Sequence, residues 1–153
     1  MRTIHVITVG KLKESGLIAF EQEYLKRINK FQVHIHELKA FAEDLSLEGK
    51  EVVVKIKELQ KQSSNLKIVL LMEKGKERDS VEFAQFINQQ FNEGRDLALI
   101  IGGASGHGED VLALPNDKIS LSQMTFPHQV ARIVLVEQIY RAQTIIAGHP
   151  YHK

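Results

Sequence analysis

Five short apolar runs rich in β-branched residues recur along the chain, at Thr3 to Val9, Val33 to Leu38, Leu66 to Met72, Leu97 to Ile101 and Lys118 to Leu121. Each has strand length, and helical patterns separate them. Glu14 to Lys30 repeats apolar residues at Leu17, Phe20, Tyr24, Leu25 and Ile28, and Leu47 to Gln60 and Ser80 to Phe91 show similar spacing. Strands alternating with helices predict an α/β fold, with a mostly parallel sheet covered by helices on both faces. A chain of 153 residues without internal repeat, low-complexity stretch or linker reads as one domain, residues 1–153. At this size, folding buries about 68–70% of the unfolded surface, enough for a full core.

Helix boundaries carry local signals. Ser80 stands where it can N-cap the third helix, and Gly94 is placed to end that helix in a left-handed turn. The last helix, Pro127 to Ala147, differs from the others. Val130, Ile133, Val134, Leu135, Val136, Ile139, Tyr140, Ile145 and Ile146 cover more than one stripe of it. A helix apolar on several sides needs more than one packing partner. It is therefore either a central core helix or a helix shared between its own sheet and a second copy of the chain in a two-fold homodimer.

Composition removes several functions. There are no cysteines, so disulfides and thiolate metal sites are excluded. His149 with His152, and His34 with His36, lack a third ligand, and no metal site is expected. No apolar run approaches the ~20 residues of a membrane span, and the N-terminus has no leader pattern, so a cytoplasmic protein without membrane contact is expected. The formal charge of +1 gives no bulk electrostatic argument for nucleic acid.

The densest chemical signal is Leu97-Ala98-Leu99-Ile100-Ile101-Gly102-Gly103-Ala104-Ser105-Gly106-His107-Gly108, a strand running directly into a glycine-rich loop. Ligands of open α/β sheets sit beyond the carboxyl ends of strands, so a cofactor belongs here, although a plain turn has the same composition. A P-loop would need Gly-Lys-Ser/Thr, which is absent. The first strand ends in Val9-Gly10-Lys11, with one glycine where a dinucleotide fingerprint needs three. The second signal is Leu121-Ser122-Gln123-Met124-Thr125-Phe126-Pro127-His128, which combines apolar walls with backbone groups able to read an adenine edge. Within the last helix, Glu137 and Arg141 stand four apart and can pair, while Arg132 and Arg141 could equally grip a phosphate. The tail, Gly148-His149-Pro150-Tyr151-His152-Lys153, adds two imidazoles, a phenol and an ammonium. On these residues alone an enzyme, a nucleotide-binding module without chemistry and a non-catalytic dimeric factor all stay open.

Taken in order, the Ile-Gly-Gly-x-x-Gly loop, Leu-Ser-x-Met-Thr-Phe-Pro-His, Arg132, Glu137, Tyr140-Arg141 and the terminal Tyr-His-Lys resemble the RlmH family, the ribosomal RNA large-subunit methyltransferase H group of the SPOUT superfamily. The resemblance spans the whole chain and is strongest from Leu97 to Lys153. It implies an S-adenosylmethionine (SAM)-dependent enzyme that methylates N3 of a pseudouridine in 23S rRNA on assembled ribosomes. It also implies a deep C-terminal trefoil knot, which no periodicity could reveal. The cofactor contacts it implies are Leu71, Gly102, Leu121, Ser122, Gln123, Met124, Thr125 and Phe126. In such enzymes the dimer completes the site, so the tail of one copy is expected to reach the other's cofactor pocket. Arg141 and His152 are the candidate catalytic residues, His152 as proton acceptor or orienting donor and Arg141 as phosphate or base anchor. Arg132, His128 and Tyr151 are the candidate substrate contacts.

Overall fold

The period-two alternation of the strands sorts their apolar side chains onto two faces of one sheet. A computed structural model describes residues 1–153. Strands β1 (Thr3–Val9), β2 (Gln32–Leu38), β3 (Leu66–Glu77), β4 (Asp96–Ile101) and β5 (Asp117–Ser120) lie in the order β2-β1-β4-β3-β5. Every neighbouring pair is parallel. The expected mostly parallel sheet is thus wholly parallel. Helices α1 (Ser15–Arg27), α2 (Leu45–Gln62), α3 (Ser80–Asn92), α4 (Glu109–Leu112) and α5 (His128–Ile146) connect and cover it.

One face carries Ile4, Val6, Val69, Leu97, Leu99 and Ile101, packed on Phe83 and Ile87 of α3 and on Leu135, Ile139 and Ala142 of α5. The other carries Ile7, Val9, Ile68, Leu70, Ala98 and Ile100, packed on Val52, Ile56 and Leu59 of α2 and Val111 of α4. Strand residues of opposite parity therefore feed separate cores, which is why these strands read as continuous apolar runs. No helix is long and apolar enough to cross a membrane.

The all-round apolar character of α5 is met largely within one chain, because the sheet, α3 and α1 each take a side of it. The α1 side is fixed by polar contacts. The Gln143 side-chain carbonyl accepts from the backbone N–H of Asn29 (2.7 Å) and Lys30 (2.9 Å), while its amide donates to the Arg27 carbonyl (3.1 Å). Val130 and Ile146 remain exposed on the same helix.

Two expectations shift in detail. Asp79, not Ser80, caps α3: its carboxylate accepts from Glu82 N (2.8 Å) and Glu82 answers to Asp79 N (3.0 Å), a reciprocal capping box. Ser80 is released to donate to Gln138 of α5 (2.8 Å). Gly94 does follow α3 with φ of +75°.

Strand β3 runs past its expected end. Leu71 and Lys76 both stand opposite Ile119 of β5, so Met72 to Gly75 bow out of the ladder before pairing resumes. At Gly75 the chain passes flush against β5, where a Cβ would lie 2.6 Å from the Ile119 carbonyl carbon. Only glycine permits that approach.

Candidate cofactor cleft and tail cluster

The carboxyl ends of β3, β4 and β5 open into one cleft of about 570 Å3, within the usual range for small-molecule sites. Its walls come from three segments: the bowed end of β3, the glycine loop after β4, and the connection from β5 into α5. Leu71, Gly102, Leu121, Ser122, Met124, Thr125 and Phe126 all line it, as does His128. Of the expected cofactor contacts only Gln123 is not among the lining residues.

The glycine loop is folded tightly on itself. Gly106 N–H donates to the Gly103 carbonyl at 3.0 Å, and a Cβ on Gly102 would meet the Gly106 carbonyl oxygen at 2.5 Å. The residue at 102 must therefore lack a side chain for the loop to close. Behind the loop, Glu48 of α2 is buried, accepts from Phe41 N–H at 2.7 Å, and stands where a Cβ on Gly103 would come within 3.1 Å of its carboxylate.

Two lining residues escape sequence reasoning. Glu73, on the bowed end of β3, is the carboxylate of the cleft wall. His107 donates from Nε2 to the Leu71 carbonyl at 2.9 Å, bridging two walls. Burial pushes its pKa below the ordinary imidazole range, with the Leu71 hydrogen bond and Glu73 opposing. A histidine directly inside a glycine loop was the available signal for the second; nothing marked the first, because it sits beyond the expected strand end.

Arg141, Tyr151 and His152 do not line the cleft of their own chain. They form a separate cluster on α5. Glu137 Oε1 accepts from Arg141 Nη2 (2.6 Å) and Nε (3.0 Å) and from the Tyr151 hydroxyl (3.1 Å). The expected four-apart pair is present. Tyr24 and Tyr140 enclose Tyr151, and the Arg141 guanidinium lies 4.8 Å from the Tyr151 ring centre. Hydrogen bonding with Tyr24, burial and the Glu137 carboxylate together raise the Tyr151 pKa. The tail is therefore folded back rather than frayed.

Arg141 Nη1 lies 3.1 Å from His152 Nδ1. A guanidinium can only donate, so Nδ1 is the acceptor and the remaining proton of a neutral ring sits on Nε2. In this arrangement His152 offers a donor outward.

Arg132 corrects an expectation. It is buried, gripping both carboxylate oxygens of Glu21 (2.6 and 2.8 Å) and one of Glu37 (2.5 Å). Three of its five N–H donors are held by carboxylates and the side chain is 7% exposed, which leaves it little surface to offer a substrate phosphate. Its place is structural, tying α1 and β2 to α5.

Two imidazoles of the second candidate pair, His34 and His36, gather with His5 on one sheet face, with His5 Nδ1 and His36 Nε2 3.0 Å apart. No group of three or more metal-ligating side chains is arranged to hold an ion.

Comparison with known proteins places the whole chain. Residues 1–152 match the family model described as "Predicted SPOUT methyltransferase". The chain is 43% identical to the ribosomal RNA large subunit methyltransferase H of an Exiguobacterium species, with 98% of this chain and 99% of the relative covered. Proteins of the same description from Clostridium beijerinckii and Clostridium novyi are 42% and 41% identical over the same shares. With cleft, topology and full-length similarity in agreement, the chain belongs to the SPOUT methyltransferase family.

Proposed function

We propose that the protein is a SAM-dependent methyltransferase that modifies N3 of a pseudouridine in 23S rRNA, on assembled ribosomes in the cytoplasm, as a homodimer. The observation that carries this reading is the gathering of Leu71, Gly102 and Leu121 to Phe126, Gln123 apart, into a single cleft at the strand ends. The relatives' shared description as ribosomal RNA large subunit methyltransferases supplies the substrate class.

The cleft fits the cofactor. Leu71, Leu121, Met124 and Phe126 give apolar walls for an adenine, the glycine loop allows close backbone approach, and Glu73 complements a cationic ligand. When bound, SAM supplies an electrophilic methyl on a sulfonium. The protein's part is to position the two reactants and exclude water.

As N3 takes the methyl, its imide proton passes to solvent and S-adenosylhomocysteine is the product released. His152, held by Arg141 with its Nε2–H outward, suits orientation of the base through a carbonyl, and Arg141 keeps the charge beside it. Because this cluster is not part of its own chain's cleft, the reading requires the tail of the partner subunit to complete each site. A composite site also suits a near-neutral chain, since ribosome shape rather than bulk charge would select the target.

Incubation with methyl-labelled SAM and ribosomes lacking the modification tests the proposal. Label on N3 of one 23S pseudouridine is the expected result. Ribosome binding indifferent to SAM, with no transfer, would replace it with a non-catalytic factor.

A further inference from the structure

One imidazole in the cleft has no part in the proposed chemistry. His107 sits in the glycine loop between β4 and α4, and its Nε2–H is engaged by the Leu71 carbonyl at 2.9 Å. A carbonyl only accepts, so a neutral ring keeps its lone pair on Nδ1. The hydrogen bond joins residues 36 apart in sequence and ties the end of the β3 ladder to the glycine loop, two walls of the same cleft. On its other side the ring helps close a smaller cavity of about 10 Å3, shared with Glu48 and Gly49 of α2 and with Gly102 and Gly106. Of the ionisable groups nearby, Glu73 from β3 acts on the ring electrostatically, His128 from the start of α5 lines the same cleft, and Glu48 from α2 lines the small cavity.

We propose that His107 is a positioning residue of the cofactor cleft: its donation to the Leu71 carbonyl fixes the spacing of two walls, and a proton taken up on the ring would weaken binding of a sulfonium cation. This rests on the reading of the cleft as a SAM site. An imidazolium in the wall would stand against the sulfonium charge in a partly desolvated space, where like charges repel more than in water. Burial of the ring favours the neutral form and so works in the same direction. S-adenosylhomocysteine has the same adenosine and amino-acid parts and lacks the sulfonium charge. The ratio of the two affinities therefore isolates this effect from anything else that acid does to the protein.

The test is calorimetric titration of the full chain with each ligand at pH 7.5 and pH 5.0, for wild type, H107Q and H128Q. Glutamine keeps an N–H for the Leu71 carbonyl and cannot take a proton in this range. The expected result is a wild-type SAM to S-adenosylhomocysteine affinity ratio that falls on acidification and stays flat in H107Q. A flat ratio in wild type, an equal fall in H107Q, or a fall abolished only in H128Q would each overturn the inference. An NMR titration of the His107 ring in the unaltered protein gives a second reading: SAM should lower its pKa and S-adenosylhomocysteine should not. Failure of both ligands to bind at either pH would overturn the cofactor reading itself, and this inference with it.

Discussion

Arg141 donates from Nη1 to Nδ1 of His152 at 3.1 Å, which leaves the Nε2–H of the histidine pointing away from the protein's own arginine. If that donor orients the base, H152A should lower turnover about 10- to 100-fold, the worth of one or two charge-assisted hydrogen bonds. H152Q, which retains a donor, should recover part of the loss. SAM affinity should be unchanged in both. Full turnover by H152A would remove the tail from the mechanism.

A Cβ at position 102 would collide with the Gly106 carbonyl, so even alanine must open the glycine loop. Gly102→Ala should weaken SAM binding more than about tenfold, with the far-ultraviolet circular dichroism intact. Mixing this variant with H152A tests the shared site: an equimolar mixture allowed to exchange subunits would regain about a quarter of wild-type activity, since half of its dimers are mixed and one of their two clefts pairs intact parts. Unchanged SAM affinity in Gly102→Ala would remove the loop from the site.

Arg132 and Glu21 are both almost fully buried, and removing one charge strands the other. Arg132→Met should cost about 3 kcal/mol in urea denaturation, and adding Glu21→Met should recover part of it. A substrate-binding arginine would behave otherwise, lowering RNA affinity at little cost in stability.

His5 is 8% exposed and faces His36 at 3.0 Å. Burial, then the neighbouring His36 and His34, push its pKa down to about 4, against a partial opposing pull from Asp96; burial also lowers His36. Folded imidazoles that resist protonation stabilise the protein above the ordinary range near 6.5, and that contribution is lost as pH falls toward 4. Urea stability should decline between pH 6.5 and 4 by on the order of 2 kcal/mol for His5, after discounting for solvent reaching it past the neighbouring edge strand β2. His5→Phe should flatten the slope; an unchanged slope would assign it elsewhere.

What was legible in the sequence follows from locality. Strand parity and helix spacing are properties of neighbouring residues, so four of the five strands and the four long helices fall close to their expected bounds. Helix α4 has four residues and offers no period to read. The second half of β3 is polar, and its pairing depends on a bulge opposite Ile119 that no local pattern announces. The glycine loop and the Leu121 to Phe126 stretch announced the cleft through composition, but their meeting with Leu71 came from resemblance. Arg132 was misjudged because its partners, Glu21 and Glu37, lie 111 and 95 residues away. His107 was overlooked for the same reason, its acceptor being 36 residues earlier.

The central claim is that the cleft at the ends of β3, β4 and β5 holds SAM. Calorimetric titration of the purified chain with SAM, with the oligomeric state fixed by sedimentation, tests it most directly. Saturable binding by a dimer, lost in Gly102→Ala, is the predicted result. A folded dimer that takes up no SAM would contradict it.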